Sequence, residues 1–188
     1  MTTTLLDEPK TTADEADQTT DDHGGKYLTF KLAEEEYGVE ILKVREIMGV
    51  MDITGVPRMP VHMKGVINLR GKVIPVIDLR LKFGFEEIGR TEETCIIVVD
   101  VGHEVGIVVD TVCEVLDVTG ENIEPPPAMG GSVDTSFILG MGKVGNEVKI
   151  LLDIDKVLTA NELRDVALAA TTSETPTDAG GEPASVDF

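Results

Sequence analysis

The clearest chemical signature in the sequence is the glycine pattern of Gly140–Gly145, which matches the G-x-G-x-x-G of a dinucleotide site. In such a site the glycines open a helix whose N-terminal amides bind the pyrophosphate. The residues that follow here, Asn146–Leu152, alternate in polarity as a strand does. We therefore interpret the glycines as a hairpin turn, and nucleotide binding stays as the rival hypothesis.

The other residues able to catalyse a reaction or bind a metal are scattered. None of His23, His62 and His103 has a cysteine or carboxylate at the spacing of a metal site. No serine lies in the turn of a nucleophile elbow. The acidic run at 34–36 places its carboxylates side by side, whereas the acids of a hydrolase face each other across the substrate. The sequence therefore predicts no metal, no cofactor and no enzymatic activity.

Glu46 and Arg70 are two charged residues for which an ion pair is one hypothesis and two unrelated surface charges the other. Glu46 lies in Glu40–Ile47, whose apolar residues have helical spacing, so a short helix is predicted there. Arg70 lies at the tip of a predicted hairpin. If the pair is partly buried, removing one partner would cost roughly 3–5 kcal/mol. The residues with helical spacing are Ile41, Val44 and either Leu42 or Ile47.

Short apolar segments separated by turn residues dominate the middle of the chain, and they are rich in the strand-forming Val and Ile. Pro75 lacks a backbone N–H, which predicts that its strand lies at an edge or a bulge. Asp78 is predicted to cap a short helix, and Asp153 or Asp155 a terminal helix that reaches about Arg164. The predicted strands are 27–32, 36–39, 65–70, 72–77, 94–100, 104–109, 111–118, 137–141 and 148–152.

The formal net charge of -19 is concentrated at the two ends of the chain. Residues 1–26 and 165–188 each carry a net charge of -5 and few apolar residues, so we expect disordered acidic segments there. The folded domain is expected over residues 27–164. An acidic surface repels phosphate groups, which argues against nucleic acid and anionic membranes as partners.

Two cysteines, Cys95 and Cys113, lie in apolar segments. They are predicted to be buried free thiols in a reducing compartment, with a disulfide as the alternative. The N-terminus shows no signal peptide, and no segment approaches the roughly 18 apolar residues of a membrane span. We therefore expect a cytoplasmic protein.

Four ordered motifs resemble the family of CheW-like domains. The most specific is the string GVINLRGKVIPVIDLR at residues 65–80. The others are EYGVEILKVREI at 36–47, VGIVVDTV at 105–112 and KILLDIDKVL at 149–158. The resemblance implies a mainly β fold of two SH3-like five-stranded barrels that share an apolar seam, with short helices and a C-terminal helix.

The resemblance also implies a non-enzymatic adaptor, monomeric in isolation, that couples the cytoplasmic tips of methyl-accepting chemotaxis receptors to the histidine kinase CheA in arrays at the inner membrane. A family member that serves another chemosensory pathway, such as surface motility, is the alternative. Val112 would contact the regulatory domain of the kinase. The prolines of the loop at 124–129 depart from the family pattern where ring-closing contacts occur. The implied receptor-binding residues are Ile41, Val44, Glu46, Ile47, Arg70, Gly71, Gly106 and Val115.

Overall fold

Short strands account for most of the computed structural model, which describes residues 23–126 and 135–158. Two one-turn helices, α1 (Leu79–Lys82) and α2 (Ile154–Val157), each come directly after a strand. The strands of this part of the chain are β1 (Gly25–Leu32), β2 (Glu35–Glu40), β3 (Val44–Gly49), β4 (Met63–Leu69), β5 (Lys72–Asp78), β6 (Cys95–Asp100), β7 (Glu104–Val109), β8 (Thr111–Val118), β9 (Ile123–Glu124), β10 (Ile138–Val144) and β11 (Glu147–Leu152).

The strands form two sheets, in the orders β3-β6-β7-β5-β4 and β8-β1-β2-β11-β10-β9. The edges of the first sheet meet, because Glu46 on β3 forms an ion pair with Arg70 at the end of β4. In the second sheet β10 lies against the edge strand β8. Each sheet therefore curls into a small barrel, called here barrel 1 (β3–β7) and barrel 2 (β1, β2 and β8–β11). The predicted fold of two barrels is confirmed, and barrel 2 has one strand more than the predicted five, the two-residue β9 at the edge of β10.

Successive residues of β6 point into two different apolar cores. Ile96 and Val98 fill the interior of barrel 1, whereas Ile97 and Val99 belong to a larger core that both sheets share, called here the seam. A strand buried on both faces needs an unbroken apolar sequence, which explains the run at 95–99. Each of these side chains contributes about 1.5–3 kcal/mol by leaving water. The strands that line a barrel interior on one face therefore form the seam on the other face, and the seam holds the two barrels together.

Barrels 1 and 2 repeat one pattern of strand pairing. The β4–β5 hairpin shifts register between Met63 and Gly65, and the β10–β11 hairpin shifts between Ile138 and Gly140. The parallel partner of β5 is β7, and that of β11 is β2. Asp78 caps α1 and Asp153 caps α2 through the same contact to the backbone N–H three residues on. The barrels are thus structural repeats, although their sequences share few residues.

The predicted helix over Glu40–Ile47 is wrong. Only Ile41–Lys43 forms a single 3₁₀ turn, and the chain then enters β3. Along β3 half-buried and exposed residues alternate, and Val44 pairs with Val99 of β6. A segment with only four apolar residues can fit both the helical and the strand period, so its sequence pattern does not decide between them. The pairing with β6 makes it a strand. Leu42, a candidate for the apolar face, is 87% exposed.

Two smaller predictions are also corrected. Strand β5 lies inside its sheet, so the edge alternative for Pro75 is wrong, whereas the bulge alternative fits the register shift of the β4–β5 ladder opposite Val76. The ladder with β7 begins at Val76, one residue beyond Pro75. The thiols of Cys95 and Cys113 are free as expected, yet Cys95 is half-buried and Cys113 exposed. The predicted cap at Asp78 is confirmed, and Asp153 rather than Asp155 caps α2.

Several predictions fall partly outside the described residues. These are the acidic segments at 1–26 and 165–188, the terminal helix beyond Leu158, and the part of the proline loop beyond Pro126. No helix in the described part of the chain is long and apolar enough to cross a membrane.

Gly65 is predicted to be essential for closing barrel 1. Its φ of +136° is one that other residues rarely adopt, and a Cβ there would lie 2.0 Å from the Thr54 carbonyl oxygen. That oxygen accepts the Val66 N–H at 2.9 Å, and the bond connects the chain after β3 to β4. Gly65→Ala should therefore lower the free energy of unfolding by about 3 kcal/mol in urea titrations.

Gly49→Ala is the matched control, because a Cβ at Gly49 meets nothing within 4 Å. Its expected change is below about 1 kcal/mol. Equal stability of the two variants would contradict the role assigned to Gly65.

Candidate functional site

The candidate site is centred on the ion pair in which Arg70 Nη2 donates to Glu46 Oε1 at 2.8 Å. Arg70 occupies the turn of the β4–β5 hairpin with a φ of +52°, followed by Gly71 at +85°. The Asn68 side chain holds this turn by accepting the Gly71 N–H at 2.9 Å. The ion-pair hypothesis is therefore correct, and the pair joins the two edge strands of barrel 1.

A bulge in β3 presents Glu46 toward Arg70. The register with β6 shifts between Val44 and Glu46, so Arg45 is the extra residue. Arg45 donates to Asp100 of β6 at 2.6 Å. The hydrogen bond from Arg45, and a second one from the Gly102 N–H, hold the pKa of Asp100 below its ordinary value. The bulge thus lets two consecutive charged residues each reach a partner.

Solvent reaches most of the Glu46–Arg70 pair. The Arg70 side chain is 75% exposed and that of Glu46 31%. The sequence-based hypothesis of a partly buried pair, with a large cost for losing one partner, therefore does not apply to Arg70. In this exposed position the pair contributes about 0–1 kcal/mol to stability.

Aliphatic side chains lie on β3, which carries Glu46, and in the 3₁₀ turn before it. Ile47 follows Glu46 and is 43% exposed. Val44 and Ile41 are half-buried and pack against the seam. The structure thus places one exposed aliphatic side chain, Ile47, directly beside the exposed Glu46–Arg70 pair.

The remaining predicted residues lie elsewhere. Gly106 is buried in the middle of β7, where a Cβ would come within 3.0 Å of the Ile96 side chain. Val112 and Val115 lie on β8 of barrel 2, where Val112 packs against the seam and Val115 is exposed. The structure thus groups Glu46, Ile47, Arg70 and Gly71 in barrel 1, leaves Gly106 inside the sheet, and places the two β8 valines in barrel 2.

Asp110 is a residue that the sequence reasoning quoted in a motif but gave no role. It lies where the chain crosses from β7 of barrel 1 to β8 of barrel 2. Its carboxylate accepts the Ala33 N–H at 2.8 Å and forms an ion pair with Arg80 of α1. Its own N–H donates to the Lys31 carbonyl at 3.1 Å. Asp110 therefore ties elements of both barrels to one carboxylate.

The Arg80–Asp110 pair is largely shielded from solvent, with side chains 12% and 19% exposed. Arg80 also donates to the Glu86 carbonyl and lies over the Phe85 ring at 5.9 Å. Both charged residues follow an apolar strand closely, which is the one sequence signal that points to this ion pair. Because 30 residues separate them, local sequence patterns cannot show that they meet.

The cavity beside Arg80 does not resemble a cofactor site. It encloses about 70 Å³, whereas ligand pockets usually measure several hundred. Its ionisable lining is balanced, with three acids and three bases.

The glycine pattern does not begin a helix, because β10 turns at Gly145 directly into β11. The hairpin interpretation of Gly140–Gly145 is confirmed. Among the described residues no three His, Cys, Asp or Glu side chains form a metal-binding group.

Breaking the exposed pair should leave the fold nearly unchanged. Arg70→Gln is expected to shift the free energy of unfolding by less than about 1 kcal/mol, because water replaces the lost contact. Lys72→Gln, which breaks the similarly exposed Lys72–Glu104 pair, provides the control. A loss of several kcal/mol for Arg70→Gln, measured by urea titration, would show that the pair is structural.

Breaking the shielded pair should have the opposite result. Asp110→Asn leaves the Arg80 charge without its partner, so stability should fall toward the lower end of roughly 3–5 kcal/mol. Asp100→Asn, at the exposed Arg45–Asp100 pair, is the matched control with an expected loss below about 1 kcal/mol. Similar losses in both variants would contradict the role given to Asp110.

Comparison with known proteins agrees with this architecture. The model of the family described as CheW-like domain matches residues 26–162. The chain is 43% identical over 141 residues to Chemotaxis protein CheW of Klebsiella aerogenes, covering 74% of this chain and 85% of that protein. It is 33% identical over 147 residues to Protein FrzA of Myxococcus xanthus, covering 76% and 90%.

A solved structure is similar as well. The scaffolding protein TtCheW from Thermoanaerobacter tengcongensis superposes with a TM-score of 0.68 at 38% identity, covering 74% of this chain and 95% of that one. Sequence motifs, paired barrels and solved relatives all agree, and the chain belongs to the family of CheW-like domains.

Proposed function

We propose that the protein is a non-enzymatic chemotaxis adaptor that couples the cytoplasmic tips of methyl-accepting receptors to the histidine kinase CheA. The observation that carries the proposal is the Glu46–Arg70 pair beside exposed Ile47, in a chain of the CheW-like family. Relatives named for chemotaxis and a solved scaffolding protein support it. The adaptor is a monomer in isolation and cytoplasmic, and it joins receptor arrays at the inner membrane.

The receptor would bind through the helical hairpin at its tip. A helix that docks on apolar anchors needs exposed or half-exposed aliphatic side chains with polar groups at their border. Ile47 and Val115 are exposed, and Ile41 and Val44 are half-buried. Glu46, Arg70 and Gly71 supply the polar border. Gly106 would act indirectly, by letting Ile96 and Val76 pack closely beneath the surface.

The kinase would bind through barrel 2. Val112 is the proposed contact, and it lies on β8, the edge strand that pairs with β1 in barrel 2. Val112 shares this strand with Val115 of the receptor-binding set, so the two proposed surfaces adjoin on β8.

A family member serving another pathway is the second candidate. The match to FrzA, which carries a name other than CheW, favours this second candidate.

Co-sedimentation with receptor tips and the cognate kinase, with kinase autophosphorylation as the readout, tests the main proposal. Stimulated phosphorylation supports it. Saturable binding of a nucleotide to the purified protein would favour the rival hypothesis of an enzyme.

Arg70→Glu should weaken receptor binding at least tenfold and leave kinase binding within about twofold. The change places two carboxylates where the pair was, and a central anchor of an interface commonly contributes more than 1.4 kcal/mol. Pull-down or calorimetry with receptor tips and kinase measures both affinities. Val44 replaced by a bulky residue should act in the same direction.

Lys72→Glu is the matched control, because it makes the same charge change two residues away at a 71% exposed side chain. The double variant Glu46→Arg/Arg70→Glu restores the internal pair with its polarity reversed. Equal loss of both partners in Arg70→Glu would indicate unfolding and would count against a receptor-specific surface.

A further inference from the structure

The described chain crosses between the barrels at two places, and each crossing lies near a one-turn helix. One crossing runs from β7 through Asp110 to β8, and the other runs from β2 through the 3₁₀ turn Ile41–Lys43 to β3. Helix α1 follows β5, the parallel partner of β7, and α2 follows β11, the parallel partner of β2. The two crossings therefore occupy equivalent places in the structural repeat.

An ion pair connects the helix to the crossing in both cases. The residue two positions beyond the capping aspartate is charged in each helix, Arg80 in α1 and Asp155 in α2. Arg80 forms an ion pair with Asp110 of the first crossing. Lys43 of the second crossing forms one with Asp155, with Nζ and Oδ2 2.7 Å apart. The signs of the charges are reversed, but Lys43–Asp155 is the counterpart of Arg80–Asp110.

The second crossing is otherwise held by little else. Within the part of the chain that the structure describes, no residue of Ile41–Lys43 is buried, and the residue before the turn provides no side-chain cap. Leu42 is 87% exposed. The contacts that hold the turn are the hydrogen bond from the Val44 N–H to the Ile41 carbonyl, the packing of Ile41 against the seam, and the ion pair to α2. The position of the turn therefore depends on that ion pair.

The charges around Lys43 draw its ammonium group toward α2. Its side chain is 34% exposed and that of Asp155 47%. The hydrogen bond to Asp155, together with the nearby charges of Glu40 and Asp153, raises the pKa of Lys43. Lys43 therefore stays charged at neutral pH, and its charge is used inside the chain.

We propose that Lys43 and Asp155 are positioning residues for receptor binding, because their ion pair fixes the turn from which Ile41 and Val44 reach the receptor. Lys43 lies between these two residues in the chain, so a turn released from α2 would move both. The inference rests on the proposed function and adds to it a contribution of α2 to the aliphatic surface at the start of β3. Since the pair is partly exposed, we expect it to change receptor affinity by about three- to fivefold.

A double-mutant cycle tests the inference. Lys43→Met keeps the aliphatic part of the side chain and removes its charge, and Asp155→Asn removes the opposite charge. Each variant should weaken binding of the receptor tip about three- to fivefold in calorimetry, and the double variant should lose no more than either single one. Lys43→Arg can keep the pair and should bind within about twofold of the unaltered protein. Full affinity of Asp155→Asn would mean that Lys43 acts without its partner, and would overturn the inference.

Lys156→Met is the matched control on the same helix. It breaks the Lys156–Asp153 pair, which is 3.0 Å long and does not involve the turn. Its receptor affinity should stay within about 1.5-fold of the unaltered protein, because surface pairs of this kind contribute little. Equal losses in Lys156→Met and Lys43→Met would contradict a specific role of the turn.

Hydrogen exchange tests the positioning step without any partner. In Lys43→Met the Val44 N–H, which donates to the Ile41 carbonyl, should exchange about three- to fivefold faster. The melting temperature should fall by less than about 4 °C. Unchanged exchange at Val44, or faster exchange with unchanged receptor affinity, would overturn this inference alone. Absence of receptor binding by the unaltered protein would overturn the proposed function and the inference together.

Discussion

The seam between the barrels is the constraint on which the rest of the structure depends. Most of its residues come from strands that also line a barrel interior, so neither barrel can shift without disturbing its own core. Asp110 adds a polar constraint at the crossover by binding Arg80 from one barrel and the Ala33 N–H from the other. Because cores are packed to near-crystalline density, this arrangement fixes the distance between the exposed surfaces on β3 and β8.

Bulged edge strands explain how so small a fold can present two surfaces. A regular strand sends alternate side chains inward, so consecutive residues such as Arg45 and Glu46 would face opposite sides. One extra residue changes that phase, and both side chains then reach partners across the sheet. Strand β8 contains the same kind of bulge. There the Thr29 side chain bonds to the β8 backbone, where a regular sheet would have backbone-to-backbone hydrogen bonds. The two surfaces therefore share a backbone and differ in the side chains set on it.

Local pattern was enough to predict the features that depend on neighbouring residues. The cap at Asp78, the turn at Gly145 and the unbroken apolar strands are examples. It failed where distant residues decide. The pairing of Val44 with Val99 makes a strand of an expected helix, and the contact of Asp110 with Arg80 crosses 30 residues of chain. At the candidate site the Glu46–Arg70 pair could be suggested, but its exposure could not, since that depends on how the sheet closes.

The backbone at Arg70 shows that the Glu46–Arg70 pair adds little to the stability of the fold. A residue other than glycine with a φ near +52° costs about 1 kcal/mol, and an exposed ion pair returns no more than about that. The equivalent turn of barrel 2 has Gly145, which adopts a similar φ of +62° without strain. Fold stability alone would therefore favour glycine at both turns. The strained φ and the largely solvated side chain of Arg70 therefore add little to the fold, and they support the proposal that Arg70 contacts a partner.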